Sequence, residues 1–596
     1  MNPTSLCYLH VNGTLEGIVL KRNYAEMKNI SSTFSKGHGF TINLQQTSGN
    51  VSWSILEELT AANNKKNGLQ INSADKTVTK ILISKCNVYQ NDESGFRVHA
   101  NTETVIEDCL IKENKQRGVF VDQSKGGDIF IKSSTLHRNA LYALEVLATN
   151  KIVLESCIVT ENSQTNYYSY GACKITHRQL PILGFNVTFL NNTFSYNHKQ
   201  GIYLRQSSFT SGSLTFNMKF NRFSFERRVL YFYLNYYYKN AAKIDISHNI
   251  FDNNKEISET LINLILRVED AVDLVENTFI NNTAKDILKI SINPYSVNSE
   301  SKNEIRIFEN IFKDNTFTDS CLNLKSYHVV SVSRNTFMNR QTTGMCELQA
   351  PVFDEAYSIN ATHNYWGSSS LVDVLEVVCG FDRSMEKSYV YYMPFSTSEE
   401  NNDFVAYAQD DFDVQNVLGG EITGTFTIEY TEEAKRISRS IFVRTNASLN
   451  IANGIKMQFD EKRGIYIQGN LSIEAGESET LFTNGSLSSI WYGIVLSSKD
   501  TGLLKLHDAY INNTEIGIQS KDKYLDLKNI TINNSHGACL SMLSGAEGKF
   551  DFDGSLFHNC VNHGLFLSNY INASFTGLDI SSSYEEYNSS LIKLDT

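Results

Sequence analysis

The sequence predicts an all-β chain wound as a right-handed parallel β-helix, a solenoid in two consecutive stacks joined by a cap and a linker. Three observations predict it: an Asn-anchored phrase recurring at the length of one solenoid turn, glycine-led segments of period-two alternation, and only 5 Pro in 596 residues. The phrase reads x-[Asn/Cys/Ser]-x-apolar-x-x-Asn. Its clearest copies lead with Asn192, Asn221, Asn249, Asn277, Asn310, Asn335 and Asn364, spaced by 29, 28, 28, 33, 25 and 29 residues. Upstream, Cys86, Cys109, Ser134 and Cys157 hold the same slot, each followed five residues later by Asn91, Asn114, Asn139 and Asn162. A weaker copy runs from Leu59 to Asn64.

No such unit buries its apolar face alone, so the copies must stack. Asn tolerates a left-handed corner, and its amide can bond its own loop or an identical amide one rung away, so a column of Asn is read as a corner ladder. The phrase continues into strands led by Gly95, Gly118 and Gly201, whose alternation marks one buried face. Nothing comparable repeats at 3.6 residues. The expectation is about three short parallel strands per coil, and a propeller is less favoured because its blades lack Asn ladders.

The first stack and its C-terminal cap are expected over 1–396. The repeat stops after Asn364-Tyr365-Trp366-Gly367; Leu371 to Val378 reads as a short helical cap, and Tyr389 to Phe395 as a strand. Residues 397–424 read as an acidic linker, with Glu399, Glu400, Asp403, Asp410, Asp411 and Asp413 solvated rather than bound to calcium. Alternation resumes after Gly419-Gly420, so a second β-helix is expected over 425–596, with ladder phrases at Asp508–Asn513, Asn529–Asn534 and Gly554–Asn559. It reads as mid-repeat at Thr596, and a larger parent chain is expected.

With 30 Tyr, 34 Phe and 20% charged residues, the composition suits a β-rich globular protein. A net charge of -12 argues against nucleic acid, and no 18-residue apolar run offers a membrane span within this sequence. The first ten residues lack a signal-like pattern. Sequons nevertheless point to an extracellular or cell-surface glycoprotein, at Asn12, Asn29, Asn50, Asn186, Asn191, Asn281, Asn360, Asn446, Asn470, Asn484, Asn512, Asn529, Asn533, Asn572 and Asn588. The 10 Cys form no CxxC pair, so neither metal nor cofactor is expected. Cys86 and Cys109 share a slot on consecutive coils; they are read as buried free thiols, and a Cys321–Cys346 pairing is left open.

The ladder coils, Asn364-Tyr365-Trp366-Gly367, Asp382-Arg383-Ser384 and Tyr391-Tyr392-Met393-Pro394-Phe395 together resemble the close of a β-helix in the bark beetle family. Those are large single-span adhesion proteins of tricellular (septate) junctions in invertebrate epithelia. Gly419 to Gly424, Ala447 to Phe459, Gly464 to Gly469 and Trp491-Tyr492-Gly493-Ile494 resemble the start of that family's next β-helix. The segment 360–495 carries the resemblance most specifically. It implies a non-catalytic adhesion or scaffold segment of a cell junction, whose parent is membrane-anchored. The family's scavenger-receptor cysteine-rich and lectin-like modules have no counterpart here.

Parallel β-helices of the pectate-lyase-like fold also include enzymes, which need clustered carboxylates with a cation close by. Counting two residues past the Gly slot gives Thr41, Gln70, Arg97, Phe120, Glu145, Cys173 and Tyr203; counting four gives Asn43, Asn72, His99, Asp122, Leu147, Ile175 and Arg205. No two carboxylates stack. Arg97, His99, Asp122 and Glu145 form a polar patch across neighbouring coils, the best catalytic candidate. The run Tyr231, Tyr233, Tyr236, Tyr237 and Tyr238 is the candidate surface for a glycan or protein partner, because tyrosine gives contact area with few torsions to freeze. The alternatives to a scaffold are a secreted polysaccharide lyase or glycoside hydrolase, and a carbohydrate-binding adhesin rod.

Overall fold

The computed structural model describes residues 5–595 apart from 23–25, 45–52, 74–78, 100–101, 123–126, 148–149, 164–170, 178–183, 207–212, 235–241, 267–269, 293–303, 326–328, 340–344, 354–356, 474–475, 487–488, 497–501, 522–523, 544–553, 569–577 and 582–591. The chain forms two compact units, Met1–Glu347 and Leu348–Thr596. The boundary read from composition, at 396/397, lies later in the chain.

In the first unit each coil gives one strand to each of three parallel sheets. Ser213–Lys219, Arg222–Ser224 and Arg228–Leu234 make one such coil, and Ala242–Ser247, Ile250–Asp252 and Ile262–Leu266 take the same places in the next. Register is kept rung by rung, as in Phe216↔Ile244↔Val272 on the first sheet and Phe223↔Phe251↔Phe279 on the middle one. Alternation puts Leu214, Phe216 and Met218 inside and Thr215 and Asn217 outside. The phenylalanine of the repeated phrase points inward, and the rings of Phe194, Phe223, Phe251, Phe279, Phe312 and Phe337 stack with centroids 4.7, 5.5, 4.5, 4.7 and 5.0 Å apart.

Two ladders of buried amides flank the middle sheet, which is why its strands are only three residues long. In the first, Asn192 Nδ2 donates to Asn221 Oδ1, Asn221 to Asn249, Asn249 to Asn277, Asn277 to Asn310 and Asn310 to Asn335, at 2.9 to 3.0 Å. The second, five residues on, links Asn64, Asn91, Asn114, Asn139, Asn162 and Asn197 at 2.9 to 3.1 Å. It resumes through Asn254, Asn282, Asn315 and Asn339, each contact at 2.8 Å. Each ladder amide thus satisfies a neighbour's backbone and side chain at once.

One detail differs from the sequence reading. The left-handed corner of this stack is taken by the residue before the ladder position, for example Asn191, Phe220, His248, Glu276, Glu309 and Arg334, with φ between 54° and 56°. The ladder Asn is there for its buried amide, not for its tolerance of positive φ. Gly95 is required by the closeness of the rungs, since a Cβ there would sit 2.7 Å from the Gly118 carbonyl oxygen and 2.9 Å from Asn114 Nδ2.

Cys86, Cys109 and Cys157 occupy the upper part of the first ladder as buried free thiols, and the Cys86 amide donates to Cys109 Sγ at 3.4 Å. Burial pushes the Cys157 thiol up to about 11. Cys321 is also a buried free thiol whereas Cys346 is in a disulfide, so those two are not paired with each other.

In the second unit a strand at Ser358–Asn360 is followed by the expected helix, Leu371–Val377, and by a strand at Tyr389–Tyr391. Asn364 is buried and donates to the Ala361 carbonyl at 2.6 Å. The expected acidic linker is built structure instead. Gln409, Phe412 and Val414 are buried within it, Asp413–Val414 pairs antiparallel with Val417–Ile422, and that strand pairs in parallel with Lys435–Val443. The second stack therefore starts before 425. The cause is Arg439, wholly buried, whose guanidinium donates to Asp382 Oδ2 (3.1 Å) and to the carbonyls of Gln409 (2.9 Å) and Asp411 (3.0 Å). Gly419 and Gly420, read from sequence as a break, leave room for that side chain: a Cβ on Gly420 would lie 2.3 Å from Arg439 Nη2.

From there parallel strands again stack in three columns, such as Ile465↔Ile494↔Ile518, Leu471↔Leu504↔Leu525 and Phe482↔Ile511↔Ile532. Here the corner Asn residues do adopt the left-handed conformation, at Asn513, Asn529, Asn534 and Asn559. Cys539 and Cys560 form a disulfide with Cα atoms 5.5 Å apart, a pairing the sequence reading did not include.

Candidate binding face

The sequence-derived candidates converge on the outward side of the third sheet of the first unit, where Phe120, Glu145 and Tyr203 are buried and Arg97, Lys174 and Tyr231 are half-buried. Successive rungs place Arg97, Phe120, Glu145, Lys174, Tyr203, Tyr231 and Asn263 in one column. A second column, two residues on, carries Thr176, Arg205 and Tyr233. The sequence count slipped by one at the coil of Gly171: Ala172, not Gly171, takes the Gly slot there. Cys173 and Ile175 consequently point inward and are buried, and Lys174 and Thr176 are the outward residues. The apolar character of both displaced residues is the signal that identifies the shift.

Lys174 matters because it decides the fate of Glu145. That carboxylate is only 3% exposed. It accepts from Lys174 Nζ at 2.7 Å and from Arg117 Nε on its other side. A carboxylate placed between two cations makes a structural ion pair, with its lone pairs committed. Arg97 does not reach it; its guanidinium lies 5.6 Å from the Phe120 ring, which Arg117 also covers at 4.4 Å. His99 Nδ1 and Asp122 Oδ2 do come together, at 3.8 Å and largely solvated. The four candidates therefore divide into an exposed His–Asp contact, an arginine resting on a ring, and a sequestered glutamate.

Farther along the same face the aromatic candidates assemble. The rings of Tyr203 and Tyr231 stack at 5.4 Å with an interplanar angle of 5°. Arg228 covers Tyr231 at 5.5 Å and forms an ion pair with Glu259, while Arg205 covers Tyr233 at 5.5 Å. Phe232, Leu230 and Leu234, between these tyrosines, are fully buried. Both faces of this strand thus carry aromatics, Phe232 inward and the tyrosines outward. Burial raises the Tyr231 phenol above its ordinary value. Tyr236, Tyr237 and Tyr238 lie outside the described residues.

Of the sequons, Asn12, Asn29, Asn186, Asn191, Asn281, Asn360, Asn446, Asn470 and Asn529 are exposed and Asn484, Asn512 and Asn533 partly so; Asn50, Asn572 and Asn588 lie outside the described residues. Among the described residues, no cluster of three or more His, Cys, Asp or Glu is placed to hold a metal, and no helix is long and apolar enough to cross a membrane.

Residues 16–180 match the family described as right-handed β-helix region, which agrees with the coils described above. The fold is a right-handed parallel β-helix. No curated protein matches the sequence. Among solved structures, a mutant of the PL6 family alginate lyase AlyGC is similar at 10% identity, with 95% of this chain and 96% of that chain covered and a TM-score of 0.15.

Proposed function

We propose that this chain is a non-catalytic adhesion or scaffold segment acting outside the cell or at its surface, of the kind the resemblance to the bark beetle family implies. The observation that carries this reading is the pair of buried side-chain ladders, mostly asparagine, with Glu226 taking one rung of the second. They fasten each coil to the next along a run that offers one long outward face per sheet, which is the geometry of docking over an extended area. Exposed sequons and the Cys539–Cys560 disulfide support an oxidising, extracellular setting. The commitment of Glu145 to Arg117 and Lys174 weighs against acid–base chemistry at the best catalytic candidate.

A second reading, a secreted polysaccharide lyase or glycoside hydrolase, is favoured by one observation, the contact between His99, on the strand of Arg97, and Asp122 on the next rung. One experiment separates the two. Beads coated with the whole chain are mixed with epithelial cells, and in parallel the soluble chain is incubated with acidic polysaccharides. The scaffold reading predicts bead attachment with polymer length unchanged. Depolymerisation without attachment would overturn it.

A further inference from the structure

We propose that two copies of this chain pair face to face through the outward side of the first sheet, about a two-fold axis that runs parallel to the strands and lies between those of Lys80 and Glu103. This goes beyond the scaffold reading and does not depend on it.

The first observation is an apolar run confined to one stretch of a column. Ile55, Leu82, Val105, Phe130 and Val153 are successive register partners that point outward, while Ile83, Ile106, Ile131 and Leu154 beside them fill the core. Ile55 is 38% exposed and the other four are half-buried, flanked by the rungs above and below. On either side the same column is polar, with Glu26 before Ile55 and Thr188, Asn217, Asp245 and Asp273 after Val153. A general strand preference for branched and aromatic residues would not stop at those limits. The run marks a surface that leaves water when it is covered.

Charge identifies what covers it. The flanking columns carry Trp53, Lys80, Glu103 and Asp128 on one side and Glu57, Ser84, Glu107 and Lys132 on the other. A second copy turned about an axis parallel to the strands presents each column to itself in reverse order. With the axis between the strands of Lys80 and Glu103, Lys80 meets Glu103 of the second copy, Glu57 meets Lys132, and the Trp53 indole N–H meets the Asp128 carboxylate. Ile55 and Leu82 then meet Phe130 and Val105. Lys80 already holds Glu103 of its own chain at 2.9 Å, so the two ion pairs close into a ring of alternating charge. Moving the axis half a rung one way sets Glu103 against Glu103 and Glu57 against Glu155; half a rung the other way sets Lys80 against Lys80 and Glu57 against Glu107. A surface that complements itself in one register fits a second copy of the same chain, and an unrelated polypeptide would not require that match. The four shared rungs cover about 20 Å by about 20 Å of sheet, the size of a weak and reversible association.

The test is sedimentation velocity of the whole chain on a Cys7→Ser background, so that the exposed thiol cannot link copies. The proposal predicts a reversible monomer–dimer equilibrium with a dissociation constant on the order of tens of micromolar, weakened at least about tenfold by Lys80→Glu and by Glu103→Lys. An equimolar mixture of those two variants should dimerise as the wild type does, because only the mixed pair sets opposite charges across the axis. Both side chains lie on the outward side, and unchanged thermal unfolding confirms that each variant folds. A wild-type chain that stays monomeric up to about 200 µM, single variants that dimerise like the wild type, or a mixture that remains monomeric would each overturn the proposal. So would assembly beyond two copies that the same variants abolish, since a two-fold contact closes on itself.

Discussion

At the scale of single residues, Glu226 is the most consequential departure from the repeat. Counting five residues on from Asn221 reaches the second ladder, and there a glutamate replaces the amide. Asn197 donates to its Oε1 at 2.8 Å, and its own backbone N–H donates to Asn254 Oδ1 at 2.9 Å, but Oε2 is buried without a hydrogen-bond partner. Burial raises its carboxyl to about 8 from the ordinary 4.5. A carboxyl with a raised folded value contributes stability that is fully present below the unfolded value and lost as pH rises through the folded one. The wild-type chain should therefore lose stability between about pH 4.5 and pH 8. Glu226→Gln keeps the acceptor and needs no proton, so it should flatten this dependence and raise stability at pH 8 by about 2 kcal/mol or more. Thermal unfolding across that pH range checks it; an unchanged slope would mean that the carboxyl is ionised in the fold.

At the scale of elements, the two stacks use asparagine for different physical reasons, and the difference is measurable. Asn249 is wholly buried; it donates to Asn277 Oδ1 and to the Met218 and Ser247 carbonyls, and its Oδ1 serves both N–H groups of Asn221. Asn249→Ala strands several of these groups at once and should cost about 2–4 kcal/mol. Asn529 in the second stack is an exposed left-handed corner that donates to Asp508 at 2.7 Å. Asn529→Ala should cost only about 1 kcal/mol, most of it backbone strain. Denaturant titration of both variants gives the comparison, and equal losses would contradict it.

This contrast also marks what the sequence could reveal. The ladder phrase was legible because every rung demands an amide at one place, and the strand alternation because each sheet has one buried face. The candidate face was only half legible. Tyr231 and Tyr233 announced themselves by alternation with Leu230, Phe232 and Leu234, whereas Lys174 was hidden by a glycine standing one position early at Gly171. The acidic stretch around Asp410 and Asp411 looked solvated because its fastening, Arg439 to Asp382, Gln409 and Asp411, spans residues far apart in sequence. Composition reports the charges and not their burial.

At the scale of the whole molecule, a solenoid is stabilised chiefly by contacts between neighbouring coils, so damage should stay local. The Cys539–Cys560 bridge closes a segment with a sequence separation of 21. Removing it with Cys560→Ala should cost about 3 kcal/mol in the coils it joins. Hydrogen exchange should accelerate around Ala538–Leu543 and His563–Ser568 and stay unchanged across the Asn221 to Asn335 ladder. Acceleration spread evenly over both units would instead indicate one cooperative block.

All of these expectations depend on like residues standing above one another, rung by rung, with their outward neighbours arrayed for docking. The most direct measurement is cysteine cross-linking along the middle sheet, on a Cys7→Ser background that removes the exposed native thiol. Thr193, Arg222, Ile250 and Thr278 are successive register partners on its outward side. A thiol reagent spanning one rung should join T193C to R222C, R222C to I250C and I250C to T278C with similar efficiency, and leave R222C and T278C, two rungs apart, unlinked. Failure of the adjacent pairs, or equal linking of the two-rung pair, would contradict the stacked register on which the binding face is built.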